Sequence, residues 1–484
     1  MLKRISLFLL FLVPALHAER PNIILIESDD QRPDAIAALG NPTVKTPGLD
    51  RLVGSGMAFT NARNQGSYNA AVCVASRSML QSGQSLWHYD DNLQGRVTLG
   101  ELLQKAGYHT YGTGKWHNGN ESLKRSFTAA DNITPGFLPK GHDSAFATLT
   151  VHDGKIAKGA NVPPRLSTDL IGSTALDFLK GYDGGKPFFL YVGFNAPHDP
   201  YTADKEYEKL YRDASGKSTV PPPPAFRPNH GFDPGVLKIR DEVLLPRPLD
   251  PAALADQNAI YDAMISHLDS WVGKLQDELK TRGLDKNTLV VFTSDHGLAR
   301  GSHGLLGKQN VYEHTLKIPF VISGPGVAAG KRTDNAVYNF ELYRTIADYA
   351  GAKAPDQAEG FSIRPILEGR EFKGRDATYH GYTSLMRAVV VDGWKLIEYR
   401  VRGERHTQLF HIAEDRTEEK DLSANPAQAD RLKSLRERMI VERDRYGDED
   451  GDFWNGIGFG KPLAKTSNPH GKPKPKDHTQ EEER

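Results

Sequence analysis

The chain has 484 residues, with 61 basic and 61 acidic side chains, a formal net charge of zero and a pI of about 7.3. That balance leaves no global field to recruit nucleic acid or a membrane surface, so an anionic substrate must be met by local cations. With 38% hydrophobic residues and a mean hydropathy of -0.52 it reads as a large globular chain with room for more than one domain, and 46 glycines and 30 prolines point to many loops.

Lys3 and Arg4 precede an apolar run from Ile5 to Val13 and then Pro14-Ala15-Leu16-His17-Ala18, the layout of an export signal spanning 1–18. The run is too short to span a bilayer, no cysteine follows it to carry a lipid anchor, and no other stretch is long and apolar enough to cross. The expectation is an exported protein, periplasmic or secreted, with no membrane anchor and no disulfide, because Cys73 is the single cysteine.

Asn22 to Ile26 is a continuous apolar, β-branched run expected to form a buried parallel strand. It leads into Glu27-Ser28-Asp29-Asp30, two adjacent carboxylates at the carboxyl end of a strand, which suit either a hard divalent cation or a solvated turn. Residues 41 to 52 read as a loop and helix of the scaffold. Cys73 stands at the start of a helical stretch, Val74 to Gln81, where backbone N–H groups favour an anion. On its own it is equally a small buried hydrophobe.

Thr98-Leu99-Gly100-Glu101 is a capping box. A strand over Tyr108–Gly112 precedes Lys115-Trp116-His117, where extended backbone would turn Lys115 and His117 to one side, towards one oxyanion. Residues 120 to 160 are polar and without clear period, and are read as loop. An amphipathic helix over Thr168–Tyr182, a buried strand over Pro187–Val192 and a loop carrying His198 follow. Residues 201 to 256 are Pro-rich and read as a long excursion that shapes a pocket mouth or simply decorates the surface.

A long helix through Ile260, Met264, Leu268, Val272, Leu275 and Leu279 stops at Gly283. The strand Thr288–Phe292 ends in Ser294-Asp295-His296-Gly297, and Lys308 follows shortly before a strand at Ile318–Ile322. Beyond about residue 373, alternating strands and a final helix around 427–445 suggest a small antiparallel sheet. The last stretch, 459–484, is Lys- and Pro-rich and is expected to be a disordered tail.

Taken together, Cys73-x-Ala75-Ser76-Arg77 with Leu80 and Gly83 behind it, Gly114-Lys115-Trp116-His117, Ala196-Pro197-His198 and Ser294-Asp295-His296-Gly297 resemble, in order and spacing, the blocks of the type I sulfatases. The resemblance covers Pro21 to about Leu422 and implies an α/β fold of the alkaline-phosphatase-like class. It implies a large, mostly parallel sheet flanked by helices over 19–372 and a smaller C-terminal unit with an antiparallel sheet and helix over 373–458.

It further implies a sulfuric ester hydrolase in which Cys73 is oxidised to formylglycine (3-oxoalanine) by a formylglycine-generating enzyme or an anaerobic sulfatase maturase. One hydroxyl of the hydrated aldehyde attacks the sulfur, and the second expels sulfate. In that scheme Asp29, Asp30, Asp295, His296 and position 73 hold one cation, Ca2+ with Mg2+ as the alternative. Lys115 and Lys308 neutralise the sulfate, Arg77 orients the nucleophile, His117 is the candidate base, and His198, alone or with Lys308, is the candidate acid. His296 stands where the family more often has Asn, which weakens the preference for calcium because imidazole is the softer donor.

The substrate implied is a sulfated carbohydrate, with His303, His314, Arg240 and Arg32 as candidate sugar contacts or structural residues. The competing readings are a phosphate or phosphonate ester hydrolase of the same superfamily, a silent sulfated-glycan binder, and a plain secreted structural protein.

Overall fold

The computed structural model describes residues 20–159, 162–461 and 463, so the expected export signal and most of the expected tail lie outside the described residues. Among those described, no helix is long and apolar enough to cross a membrane.

The apolar runs form the middle of a ten-stranded sheet. Its order is Lys331–Thr333, Met57–Phe59, Phe320–Ser323, Thr288–Ser294, Asn22–Ser28, Phe188–Gly193, His109–Lys115, Ala129–Thr134, Leu149–His152 and Lys155–Lys158. The central strands run parallel, antiparallel pairs flank them on both sides, and Lys331–Thr333 at one end pairs parallel with Met57–Phe59, so the sheet is mixed rather than uniformly parallel. Alternation along the central strands divides the core. Ile23, Leu25, Tyr191 and Val291 face one side with Leu102, Leu103 and Ile346, while Ile24, Ile26, Val192 and Phe292 face the other with Ile171, Leu268 and Val272. Each such side chain contributes roughly 1.5–3 kcal/mol of burial, which is why the strands at the centre are apolar on both faces.

The helices fall where periodicity and caps place them. The capping box is formed, with Thr98 Oγ1 accepting from Glu101 N at 3.2 Å and Glu101 Oε2 accepting from Thr98 N at 2.9 Å. The long helix starts earlier than its apolar period indicates, at Pro251, capped by Asp250, and ends at Thr281.

The stretch 120–160 is not loop. It holds the helix Asn120–Ser126 and the strands Ala129–Thr134, Leu149–His152 and Lys155–Lys158, which extend one edge of the sheet. These strands escape a period-2 reading because they are short, interrupted by a register shift between Ala130 and Ile133, and partly exposed on both faces.

A second sheet has the order Glu404–Phe410, Trp394–Val401, Met386–Val391, Ala377–Tyr382 and Gly66–Ser67. Four strands are antiparallel, and the fifth, from just ahead of Cys73, joins in parallel. The helix Ala429–Tyr446 covers this sheet through Leu435 and Met439. Phe459 and Leu463, at the head of the expected tail, pack against the same cluster.

Candidate active site

Four neighbouring parallel strands, Thr288–Ser294, Asn22–Ser28, Phe188–Gly193 and His109–Lys115, deliver their carboxyl ends to one edge of the sheet. Asp295 and His296, Asp29 and Asp30, His198 and Lys115 therefore emerge side by side, although the sequence spreads them over more than 260 residues. Two glycines make the approach possible. Gly114 has φ +85°, and a Cβ there would lie 1.9 Å from the Gly193 carbonyl. At Gly297 a Cβ would lie 2.0 Å from the carbonyl of His314.

Cys73 sits in the first turn of the helix Val72–Ser82, 2% exposed. Its Sγ is 3.3 Å from Asp29 Oδ1, 3.7 Å from Asp30 Oδ1 and 3.0 Å from Lys308 Nζ. Lys115 Nζ donates to Asp29 Oδ2 at 2.6 Å, and Lys308 Nζ to Asp30 Oδ2 at 2.5 Å. Asp30 has φ +70°, a left-handed backbone that an aspartate tolerates at a cost.

Ligand atoms of Asp29, Asp30, Cys73 and His198 lie within 4.8 Å of one another. His198 thus stands in the donor group itself, where the sequence placed Asp295 and His296. Those two adjoin it: Asp295 Oδ1 accepts from Asp30 N at 3.0 Å, and His296 Nε2 lies 3.0 Å from the Val72 carbonyl. His296 Nδ1 is buried without a hydrogen-bond partner. A buried nitrogen without a partner, in the field of Asp295 and Asp29, is a polar group that a cation could satisfy. The cluster at Asp29 and Asp30 is therefore a candidate site for a metal ion, with Asp295 and His296 adjoining it.

Arg77 is 1% exposed and donates to Asp295 Oδ2 at 3.0 Å, Glu27 Oε2 at 3.1 Å, the Lys115 carbonyl at 3.2 Å and Tyr191 Oη at 2.8 Å. Among the described residues none of its hydrogen bonds reaches Cys73, so it braces the carboxylates rather than position 73 directly. Glu27 and Tyr191, joined at 2.7 Å and both bonded to Arg77, belong to this cluster, and motif reading passed over them. The available signal was an acidic residue inside an otherwise apolar strand.

His117 has φ +72°, so the backbone after Lys115 is not extended, and the inference that Lys115 and His117 share a side by strand alternation fails. The ring still lies against Gly136, with Nδ1 buried and unpartnered, in the field of Lys115 and Arg77. His198 Nδ1 lies 2.6 Å from the Asp199 carbonyl and 3.2 Å from Asp199 Oδ1, and Nε2 lies 3.7 Å from Asp30 Oδ2. Arg240, from the 201–256 excursion, grips Asp199 at 2.7 and 3.2 Å and stacks over Phe137. Of the four candidate sugar contacts only Arg240 reaches this site. Arg32 is turned into the protein against Asp34 and the carbonyls of Leu298 and Ala299, and His303 and His314 are buried elsewhere.

The electrostatics follow from burial. Burial raises the Asp30 carboxyl well above its ordinary range, with Asp29 and Asp295 adding to the rise. Burial alone would also raise Asp29, but Lys115, Arg77 and Lys308 together hold it below its ordinary value. Burial pushes the Glu27 carboxyl up to about 7 against the pull of Arg77. Lys115 and Lys308 stay charged because their carboxylate partners outweigh desolvation, while burial drives His117 and His198 well below the ordinary imidazole value. With all seven groups ionised, Glu27, Asp29, Asp30 and Asp295 against Arg77, Lys115 and Lys308 leave one net negative charge, so a dication turns the site net positive.

A family model described as Sulfatase matches residues 21–352. The chain belongs to the sulfatase family. A second model, described as N-sulphoglucosamine sulphohydrolase, C-terminal, matches residues 301–445 of this sulfatase. An arylsulfatase of Clostridium perfringens is 27% identical over 89% of the chain and 96% of its own length. An N-acetylglucosamine-6-O-sulfatase of Bacteroides thetaiotaomicron is 25% identical over 90% and 88%. Among solved structures, BT4656 in complex with D-glucosamine-2-N,6-O-disulfate superimposes with a TM-score of 0.73 at 23% identity, covering 90% of this chain and 99% of that one. The chain has the fold and the family membership of a sulfuric ester hydrolase.

Proposed function

We propose that this sulfatase removes sulfate from a sulfated carbohydrate, with position 73 as the nucleophile after conversion of Cys73 to formylglycine. The observation that carries this reading is the burial of Cys73 at a helix N-terminus, within hydrogen-bonding reach of Lys308 and Asp29 and beside the Asp29–Lys115 and Asp30–Lys308 pairs. The relatives named for N-acetylglucosamine 6-O-sulfate and the disulfated glucosamine bound by BT4656 support a hexosamine-type sugar as the substrate class.

A divalent cation, Ca2+ or Mg2+, held by Asp29, Asp30, Asp295 and His296, would supply Lewis-acid polarisation of the sulfate oxygens. The hydrated aldehyde of formylglycine would supply two hydroxyls, one to attack sulfur and one to release sulfate. The protein's own residues do the rest. Lys115 and Lys308, buried ammonium groups already held on Asp29 and Asp30, would meet the sulfate oxygens where burial makes such contacts worth most. Arg77 fixes Asp295 and Glu27, and so fixes the floor under Asp29. At rest Lys308 carries a proton and His198 does not, so the pair holds one proton for the leaving alcohol, with Lys308 as its resting place. His117, neutral and with Nδ1 free, is the base for the second proton transfer.

Export and maturation complete the proposal. A formylglycine-generating enzyme or an anaerobic maturase would read Cys73-x-Ala75-x-Arg77 in the unfolded chain. The test is peptide mass at position 73 on protein from a host with such an enzyme, paired with sulfate release from 6-O-sulfated hexosamines. A loss of about 18 Da with sulfate release that vanishes in Cys73→Ala supports the reading. An unmodified thiol with full activity, or activity surviving in Cys73→Ala, overturns it.

A further inference from the structure

Three buried groups that play no part in the site above meet elsewhere in the core. His303 lies in the loop after the strand Thr288–Ser294, His314 in the short helix Glu313–Leu316, and Glu418 in the loop after the strand Glu404–Phe410. One ring nitrogen of each histidine and one carboxylate oxygen of Glu418 lie within 4.8 Å of one another. The residues are 5%, 9% and 2% exposed.

Hydrogen bonding leaves one member of the convergence unexplained. Glu418 Oε2 accepts from Glu313 N at 2.7 Å and Oε1 is ion-paired with Lys395 Nζ at 2.7 Å, but His314 Nε2 is buried with no partner. His303 Nε2 lies 3.0 Å from the Thr417 carbonyl, and its ring stacks on Tyr312 with centroids 4.1 Å apart and planes 4° from parallel. The His314 ring joins the same stack, 5.5 Å from the Tyr312 ring and 24° from parallel, and burial keeps both imidazoles neutral, His303 falling to about 4. A neutral, oriented histidine with a buried nitrogen left unpaired costs stability unless something accepts the lone pair.

We propose that His303, His314 and Glu418 form a second cation site, distinct from the carboxylate-rich centre, that takes a zinc-class transition metal and pins the 411–425 loop to the catalytic core. Two imidazoles and one carboxylate make a donor set that favours zinc or cobalt over calcium or magnesium, with a fourth position for water. The Thr417 carbonyl beside His303 is the kind of outer contact that orients a ligating ring. Lys395 bridges Glu418 and Glu313, so the cation sits near an ammonium, and the site binds more weakly than a thiolate centre.

The experiment uses the full chain, stripped with chelator and then saturated with calcium to occupy the carboxylate centre. Zinc content after equilibration with micromolar zinc is read by elemental analysis, and cobalt serves as a spectroscopic probe. We expect one equivalent of zinc beyond calcium, visible d–d absorption with cobalt, and a rise in Tm of about 2–4 °C. His303→Gln and His314→Gln should each weaken zinc binding about 10-fold or more while calcium content is unchanged, which reports that the variants fold. Asp29→Asn should keep its zinc. Absence of retained zinc and of a cobalt spectrum in the unaltered protein overturns the proposal. So does zinc that persists in the double His→Gln variant or disappears in Asp29→Asn.

Discussion

Replacing Arg77 with methionine tests whether the catalytic floor is held by charge. The guanidinium is 1% exposed and satisfies two carboxylates, a carbonyl and a hydroxyl at 2.8–3.2 Å. Methionine fills much of the volume but leaves Glu27 and Asp295 facing each other and Asp29 without their common cation. Breaking a buried pair by deleting one partner costs roughly 3–5 kcal/mol. The lost hydrogen bonds to Tyr191 and the Lys115 carbonyl overlap with that figure rather than adding to it, so the expected loss is about 4 kcal/mol. Arg77→Lys keeps the charge but reaches one acceptor in place of four, and should lose about 2 kcal/mol. The assay is urea unfolding followed by tryptophan fluorescence, first in chelator and then in calcium, where the cation takes over part of the balancing and the deficit shrinks. A methionine variant that loses less than about 1 kcal/mol in chelator would show that Arg77 does not balance these carboxylates.

Lys308→Met removes the ammonium between Asp30 and Cys73 and should lower kcat by about 10²–10³ with KM little changed, read by steady-state sulfate release. Chelation should lower Tm, and calcium at a hundredfold excess over its Kd should restore about 2.7 kcal/mol, read by thermal melts against calcium concentration. His230, held at 2.8 Å by the Phe232 carbonyl and at 3.0 Å by Tyr312 Oη, is pushed by burial down to about 4. Its folded value lies below the unfolded value near 6.5. The stability it contributes is therefore complete above pH 6.5 and is lost as pH falls towards 4, up to about 3 kcal/mol. His230→Gln should flatten the stability profile in that window, as read by denaturant midpoints from pH 7 to 4.

The sequence exposed the parts of this molecule that are written locally. Asn22–Ile26 and Thr288–Phe292 are recognisable as buried strands because both faces are apolar, and the acidic residues after them are recognisable because charge follows abruptly. Asp29, Asp30, Cys73, Lys115 and Lys308 converge as the family blocks imply. What stayed hidden depends on the third dimension. Glu27 looks like the start of a polar turn until Arg77, from the helix Val72–Ser82, and Tyr191, from the neighbouring strand, are brought over it. Asp199 owes its place to Arg240, 41 residues away in a segment without a core period. The strands within 120–160 lie at one end of the sheet, Lys155–Lys158 at its very edge, and half-solvated strands carry little hydrophobic pattern. His117 depends on a positive φ that its neighbours do not announce.

One pairing has a consequence in time. Gly66–Ser67 is completed only when Ala377–Tyr382 lies beside it, with Ser67 opposite Tyr382. The segment that leads into the Cys73 helix thus waits for a partner more than 300 residues downstream, which ribosomes reach about 15–60 s later at ordinary synthesis rates. During that interval the cysteine sits on a chain that cannot yet close its native sheet, open to any enzyme that must act before folding buries it.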